Sequence, residues 1–226
     1  MKRGIPIAIL LPILLLVCRV AAAQPAYEKR EVEGLTLNIR QELLKEDPAM
    51  MERAVEMLRQ QLADIVKGVP EKAVIHLRKV PLWFSPEYPG VQPRAEYHPA
   101  AEWLRANKRD PAMAKGIEFT NIRIFEKEWK RMPVFVLHEL THAFHHQVLG
   151  YGHAGIFYAF KNAQGKHIYD SVDRWSGPDQ PIVKARAYAM TNEMEYFAET
   201  TEAYFGRNDF FPFTRSELEQ HDPEIF

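Results

Sequence analysis

The chain has 226 residues with 29 basic and 30 acidic side chains, a formal net charge of −1. That balance creates no long-range field to gather nucleic acid or an anionic membrane surface, so polyanion partners are not expected. A hydrophobic share of 46% is enough for a sizeable core, and the one cysteine, Cys18, lies in a leader-like segment. Thiolate metal ligation and thiol catalysis are therefore excluded from the rest of the chain.

The leader reads Lys2 and Arg3, an apolar run over residues 5–18, then Arg19-Val20-Ala21-Ala22-Ala23. This is the layout of a cleavable secretory signal, with cleavage expected after Ala23. The run is shorter than the roughly 20 residues that span a bilayer, and Pro6 and Pro12 interrupt it, so no stable membrane insertion is expected once the signal is removed. The remainder, residues 24–226, shows no repeat, low-complexity tract or linker and reads as a single secreted domain, extracellular or periplasmic.

Residues 32–39 alternate loosely and read as a strand, while residues 48–66 carry helical apolar spacing at Met51, Val55, Leu58, Leu62 and Ile65, stopped by Gly68 and Pro70. Residues 73–84 look like a second strand, the proline-rich stretch 86–99 like a loop or lid, and residues 100–106 like one short helix. Residues 117–129 show period-two positions with a bend near Asn121, and Pro133 opens a helix running to about Leu149. A helix over residues 154–162, a polar loop over 176–181 and a last helix from near Val183 or Thr191 to Gly206 complete an α+β pattern.

Within the helix after Pro133, His138-Glu139-Leu140-Thr141-His142 places two imidazoles four residues apart on one face, where both can reach one ion. Glu139 follows the first ligand directly, so its carboxylate can take a proton from a metal-activated water and later deliver one to a leaving amine. The apolar flanks make this helix a buried one, in which unpaired His and Glu would be costly. His145 shares that face but sits on an adjacent turn of the same helix, a poor position for completing a tetrahedral site. It is read as lining the groove, and His146 as a surface residue.

A catalytic zinc site takes a third protein ligand and keeps one position open. The metzincin pattern would need a His six residues past His142 and a Gly three past it, but those positions hold Val148 and His145. Downstream, Glu195, Glu199 and Glu202 form one helical stripe, with Tyr188 seven residues before Glu195. Glu195 is the expected third ligand and Glu199 the expected acceptor for the second ring N–H of a ligand histidine. Glu202 is expected to be solvated.

Together, His138-Glu139-Leu140-Thr141-His142, Tyr188 and Glu195-Tyr196-Phe197-Ala198-Glu199 resemble the catalytic domain of anthrax toxin lethal factor and the related proline-directed endopeptidases, a branch of the gluzincin metallopeptidases. The likeness spans roughly residues 117–204 and lies in motifs. It implies a zincin-like fold, one Zn²⁺ held by His138, His142 and Glu195, Glu139 as general base, and Tyr188 assisting at the oxyanion or the departing amine. The toxin's delivery role and its substrates are not carried over. The implied partner is a peptide or protein substrate laid along an edge strand, for which residues 117–125 are the candidate. Tyr97, His98 and the segment 208–213 could border that groove, though ordinary packing explains them as well. The competing readings are an inactive zinc-binding extracellular module, against which the intact Glu139 argues, and a metal-free core pair of histidines.

Overall fold

The computed structural model describes residues 25–226; the leader lies outside the described residues. The chain is α+β, with a small mixed sheet. In order it forms β1 (Tyr27–Val32), β2 (Leu35–Arg40), α1 (Gln41–Glu46), α2 (Pro48–Gly68), α3 (Glu71–Leu77), β3 (Leu82–Phe84), β4 (Ala95–His98), α4 (Ala101–Ala106) and β5 (Gly116–Phe119). There follow α5 (Phe125–Arg131), α6 (Phe135–Phe144), α7 (Ala154–Gly165), β6 (Val172–Arg174), β7 (Val183–Ala185), α8 (Glu193–Phe205) and α9 (Arg215–His221).

Five strands form one sheet in the order β1-β2-β3-β5-β4. The β2–β3 and β3–β5 pairs are parallel, whereas β1 and β4 run antiparallel to their neighbours at the two edges. Strand period assigns the faces. Leu82 and Phe84 join the main core with α2, α3 and α6, while Trp83 between them packs with Leu104 and Met113 on the other side. A second core, containing Phe160, Tyr169, Met190, Tyr196 and Phe210, lies beneath α7 and α8. Tyr169 and Tyr196 both donate to the buried Asp222, at 3.2 and 2.6 Å, which satisfies their hydroxyls there. Among the described residues no helix is long and apolar enough to cross a membrane.

Several expectations change. The strand read over residues 32–39 is the inner part of a hairpin, because Glu33 (φ 51) and Gly34 (φ 83) make a turn with two left-handed residues that reverses the chain. Residues 71–77 are helical: Pro70 caps the start, and Val74 and Leu77, three apart, supply a buried stripe that a short apolar run does not distinguish from a strand. The supposed lid contains β4, which is an edge strand. Residues 117–119 do form a strand, but β5 is paired on both sides, so it offers no free edge, and residues 125–131 turn into α5. The helix that carries His138-Glu139-Leu140-Thr141-His142 is α6, and residues 145–149 continue it as a single π turn.

At Gly116 the start of β5 passes so close to its neighbours that a Cβ would lie 2.6 Å from the Pro81 carbonyl oxygen, 2.7 Å from Trp83 Nε1 and 3.0 Å from the Met113 carbonyl oxygen. Two of those atoms belong to backbone and cannot swing aside. Gly116→Ala should therefore destabilise the protein by about 1–3 kcal/mol, read as a lower urea midpoint at unchanged slope. An unaltered midpoint would show that the backbone yields there.

Candidate metal centre

Helices α6 and α8 pack side by side. Asn192, in extended conformation, caps α8: its Oδ1 accepts the N–H groups of Met194 and Glu195, both at 2.9 Å. That cap sets Glu195 in the first turn, where the positive end of the helix dipole favours a carboxylate. His138 and His142 face it from α6. The Nε2 atoms of the two histidines are 3.1 Å apart, and Glu195 Oε2 lies 3.1 Å from the first and 3.2 Å from the second. Three donor atoms thus make a nearly equilateral triangle.

A tetrahedral ion with bonds of about 2.0–2.1 Å would space its ligand atoms about 3.3 Å apart. The observed edges fall within a few tenths of an ångström of that value. Two imidazole nitrogens pointing at one another across 3.1 Å repel as lone pairs unless a cation or proton lies between them. The set of two imidazoles and one carboxylate fits a metal ion of the borderline-soft kind.

His138 Nδ1, on the far side of the ring, lies 2.6 Å from Glu202 Oε1, and Glu202 is fully buried. Here the structure departs from expectation. Glu199 has a carboxyl oxygen within 4.8 Å of the His138 and Glu202 donor atoms, yet it accepts from Asn208 Nδ2 at 3.1 Å. The residue seven positions after Glu195 returns to within about 20° of its azimuth, whereas the one four positions on is displaced by about 40°, so Glu202 aligns better with the ring. Burial of His138 opposes its protonation, but the carboxylates of Glu195 and Glu202 outweigh that and hold its pKa well above the ordinary value. Burial pushes Glu202 up to about 7 against the pull of His138. For Glu195, burial is outweighed by its bonds to His138 and His142, which hold the carboxyl well below the usual range.

Glu139 lies beside the triangle, and its Oε2 accepts the backbone N–H of Tyr97 on β4 at 2.8 Å. Tyr188 is delivered by a 3₁₀ turn (Tyr188–Met190) that precedes the cap, since α8 does not extend back to it. Its ring is nonetheless 6.5 Å, centre to centre, from that of His138. Burial and then the Glu195 charge push its phenol up to about 12, so it stays protonated at neutral pH. Together with Arg94, Ala95, Glu96 and Tyr97, these side chains line a cleft of about 380 Å³.

His145 does not join the triangle. It is buried between Tyr151 and Phe197, neither ring nitrogen has a partner among the described residues, and burial lowers its pKa to about 4. His146 is no free surface group either: its Nδ1 lies 2.8 Å from the Tyr97 hydroxyl and its ring stacks on Tyr151. His98 packs on Trp103 and pairs with the buried Glu118 at 3.0 Å, inside a cluster closed by Arg109. Of the segment 208–213, Phe210 belongs to the second core, which is the packing role. Glu202, expected to be solvated, is instead buried against His138, and the Asn192 cap and the Tyr97 N–H are contributors that the sequence reading does not include. Asn192 ahead of Glu193 and Glu195 is the one that carried a local signal, that of a helix cap.

No family model, curated protein or solved structure matches the chain.

Glu202→Gln should weaken metal binding about 10–100-fold, measured by competition with a chelating dye, with Glu199→Gln closer to the parent. The reverse order would return the histidine-orienting role to Glu199. Because a ligand histidine must shed its proton, and the neighbouring carboxylates hold that proton on His138, metal affinity should fall as pH is lowered from about 8 to about 6. A flat profile over that range would contradict the proton competition.

Proposed function

We propose that the chain is an exported zinc-dependent endopeptidase of zincin-like fold, akin to the lethal factor branch of the gluzincins. The observation that carries this reading is the triangle of His138 Nε2, His142 Nε2 and Glu195 Oε2 with Glu139 immediately beside it. The leader-like first residues support export, and the near-zero net charge gives no reason to invoke nucleic acid.

Zinc, when bound by His138, His142 and Glu195, supplies a Lewis acid that polarises the scissile carbonyl and acidifies water. Everything else falls to side chains and backbone. Glu139 accepts the proton of the attacking water on its carboxylate and passes it to the leaving amine. Tyr97 N–H holds one oxygen of that carboxylate and leaves the other available. The Tyr188 hydroxyl, protonated at working pH, donates to the oxygen on which negative charge develops. Glu202 accepts from His138 Nδ1, fixing its tautomer and aiming Nε2 at the site.

The substrate lies along β4. Alternate residues of a strand turn their backbone groups the same way, so Ala95 presents its N–H and C=O to the side on which Tyr97 N–H meets Glu139. An extended peptide adds to such an edge by main-chain hydrogen bonds, which makes the recognised class peptides and unfolded protein segments.

The test is metal analysis together with cleavage of a diverse peptide library. The parent should hold one zinc and cleave. Glu139→Gln should retain the zinc and lose at least about 100-fold in rate, Tyr188→Phe should lose about 100-fold in kcat with little change in KM, and Glu195→Ala should bind zinc poorly. A folded parent that takes up no zinc, or holds zinc without cleaving any peptide, would sink the reading.

A further inference from the structure

On the Tyr188 side of the cleft lies a second hollow, about 470 Å³, whose walls include Arg131, Arg174, Arg186, Glu199 and Asp209. Tyr188 lines both spaces and so stands at their common wall. The arginines come from three separate elements: Arg131 ends α5, Arg174 ends β6, and Arg186 follows β7 in the hairpin that leads to Tyr188.

Of these groups Arg174 carries a buried donor with no partner among the described residues, Arg186 is half exposed to solvent and Arg131 is bonded to Glu128. Arg174 lies over the Phe210 ring at 4.8 Å, its nearest carboxylate is Asp209 at 3.9 Å, beyond hydrogen-bond range, and its Nε is buried without a partner. Arg186 approaches no acid closer than Asp170, at 3.8 Å. Arg131 spends Nε and Nη2 on Glu128 and leaves Nη1 facing Asp209 at 3.6 Å. The acids in the wall do not fill this demand, since Glu199 is engaged by Asn208 and Asp209 stands off from both arginines. A buried donor without an acceptor is destabilising, and a guanidinium fork matches a carboxylate with two parallel bonds.

We infer that this hollow is a subsite for a carboxylate of the bound peptide, so that the enzyme selects an acidic side chain or a free C-terminus on the Tyr188 side of the scissile bond. The inference rests on the peptidase reading and adds the substrate class to it. A carboxylate there supplies an acceptor to the buried Nε of Arg174 and a partner to the exposed Arg186. The two sources of the carboxylate share one chemistry and differ in how deep the chain must run.

The test measures binding, so it does not depend on turnover. Short N-terminally fluorescein-labelled peptides carry a single Glu at successive positions, each beside its Gln twin with an amidated C-terminus, and one neutral peptide is made as free acid and as amide. Anisotropy titration uses the Glu139→Gln protein with and without zinc. At one position, or at the free C-terminus, the acid should bind about tenfold tighter than its neutral twin, which is about 1.4 kcal/mol. The gap should shrink to below about twofold with Arg186→Gln, an exposed position that holds nothing in the core, and with Arg174→Gln. A side-chain preference identifies an internal acidic residue, and a preference for the free acid identifies a terminal one; either supports the subsite. Equal affinities throughout, an acid preference untouched by both arginine variants, or no binding of any acidic peptide at millimolar concentration overturns it. Failure of the parent to take up zinc or to cleave would count against the peptidase reading and leave these affinity ratios standing.

Discussion

The short distances among His138 Nε2, His142 Nε2 and Glu195 Oε2 govern much of this structure, because three lone-pair-bearing atoms meeting at one point are unfavourable without a cation. Two helices have to be held against each other to bring that about. The α6 face that packs on the sheet buries Phe135, Val136 and Leu140, which orients the two histidines away from the core and toward α8. On the other partner, Tyr196 and Ala198 are buried while Glu195 is turned to the cleft. Packing free energy from both cores thus offsets the cost of assembling the polar site.

Support for the triangle continues outward in ordered steps. Glu202 grips the back of His138, Asn192 caps the helix that carries Glu195, and Glu199, one turn further along, is itself held by Asn208. Each link is a hydrogen bond to a group that would otherwise be buried and unpaired. The remaining oxygen of Glu202 has no partner among the described residues, which concentrates its carboxyl on the single bond to His138. Such an arrangement permits little drift in the ring's orientation, a requirement for any site in which ligand geometry has to be kept within a fraction of an ångström.

What could be read from the sequence follows the range of the physics involved. His138, Glu139 and His142 are placed by helical repeat alone, and Glu195 by the stripe it heads, so all four were legible. Which acid of that stripe meets His138 depends on how α6 lies across α8, a tertiary quantity, so the stripe alone does not separate Glu199 from Glu202. Tyr188 reaches the cleft by a route different from the one its spacing implied, through a 3₁₀ turn. The helix over residues 48–68 was clear from its length and spacing, whereas residues 71–77 offered too few apolar positions to separate the two periodicities. The edge strand is not legible because Ala95–His98 is four residues long and lies within a proline-rich stretch, and because the rank of a strand in its sheet is set by distant pairing.

The bond from Tyr97 N–H to Glu139 joins the sheet edge to the carboxylate of α6. Both a peptide strand and Glu139 are acceptors competing for that one donor. An extended chain adding to β4 at Tyr97 would meet an N–H that the Glu139 carboxylate already holds. Occupancy of the edge and position of the Glu139 carboxylate are in this way coupled through a single shared donor, so that neither element can change without the other registering it.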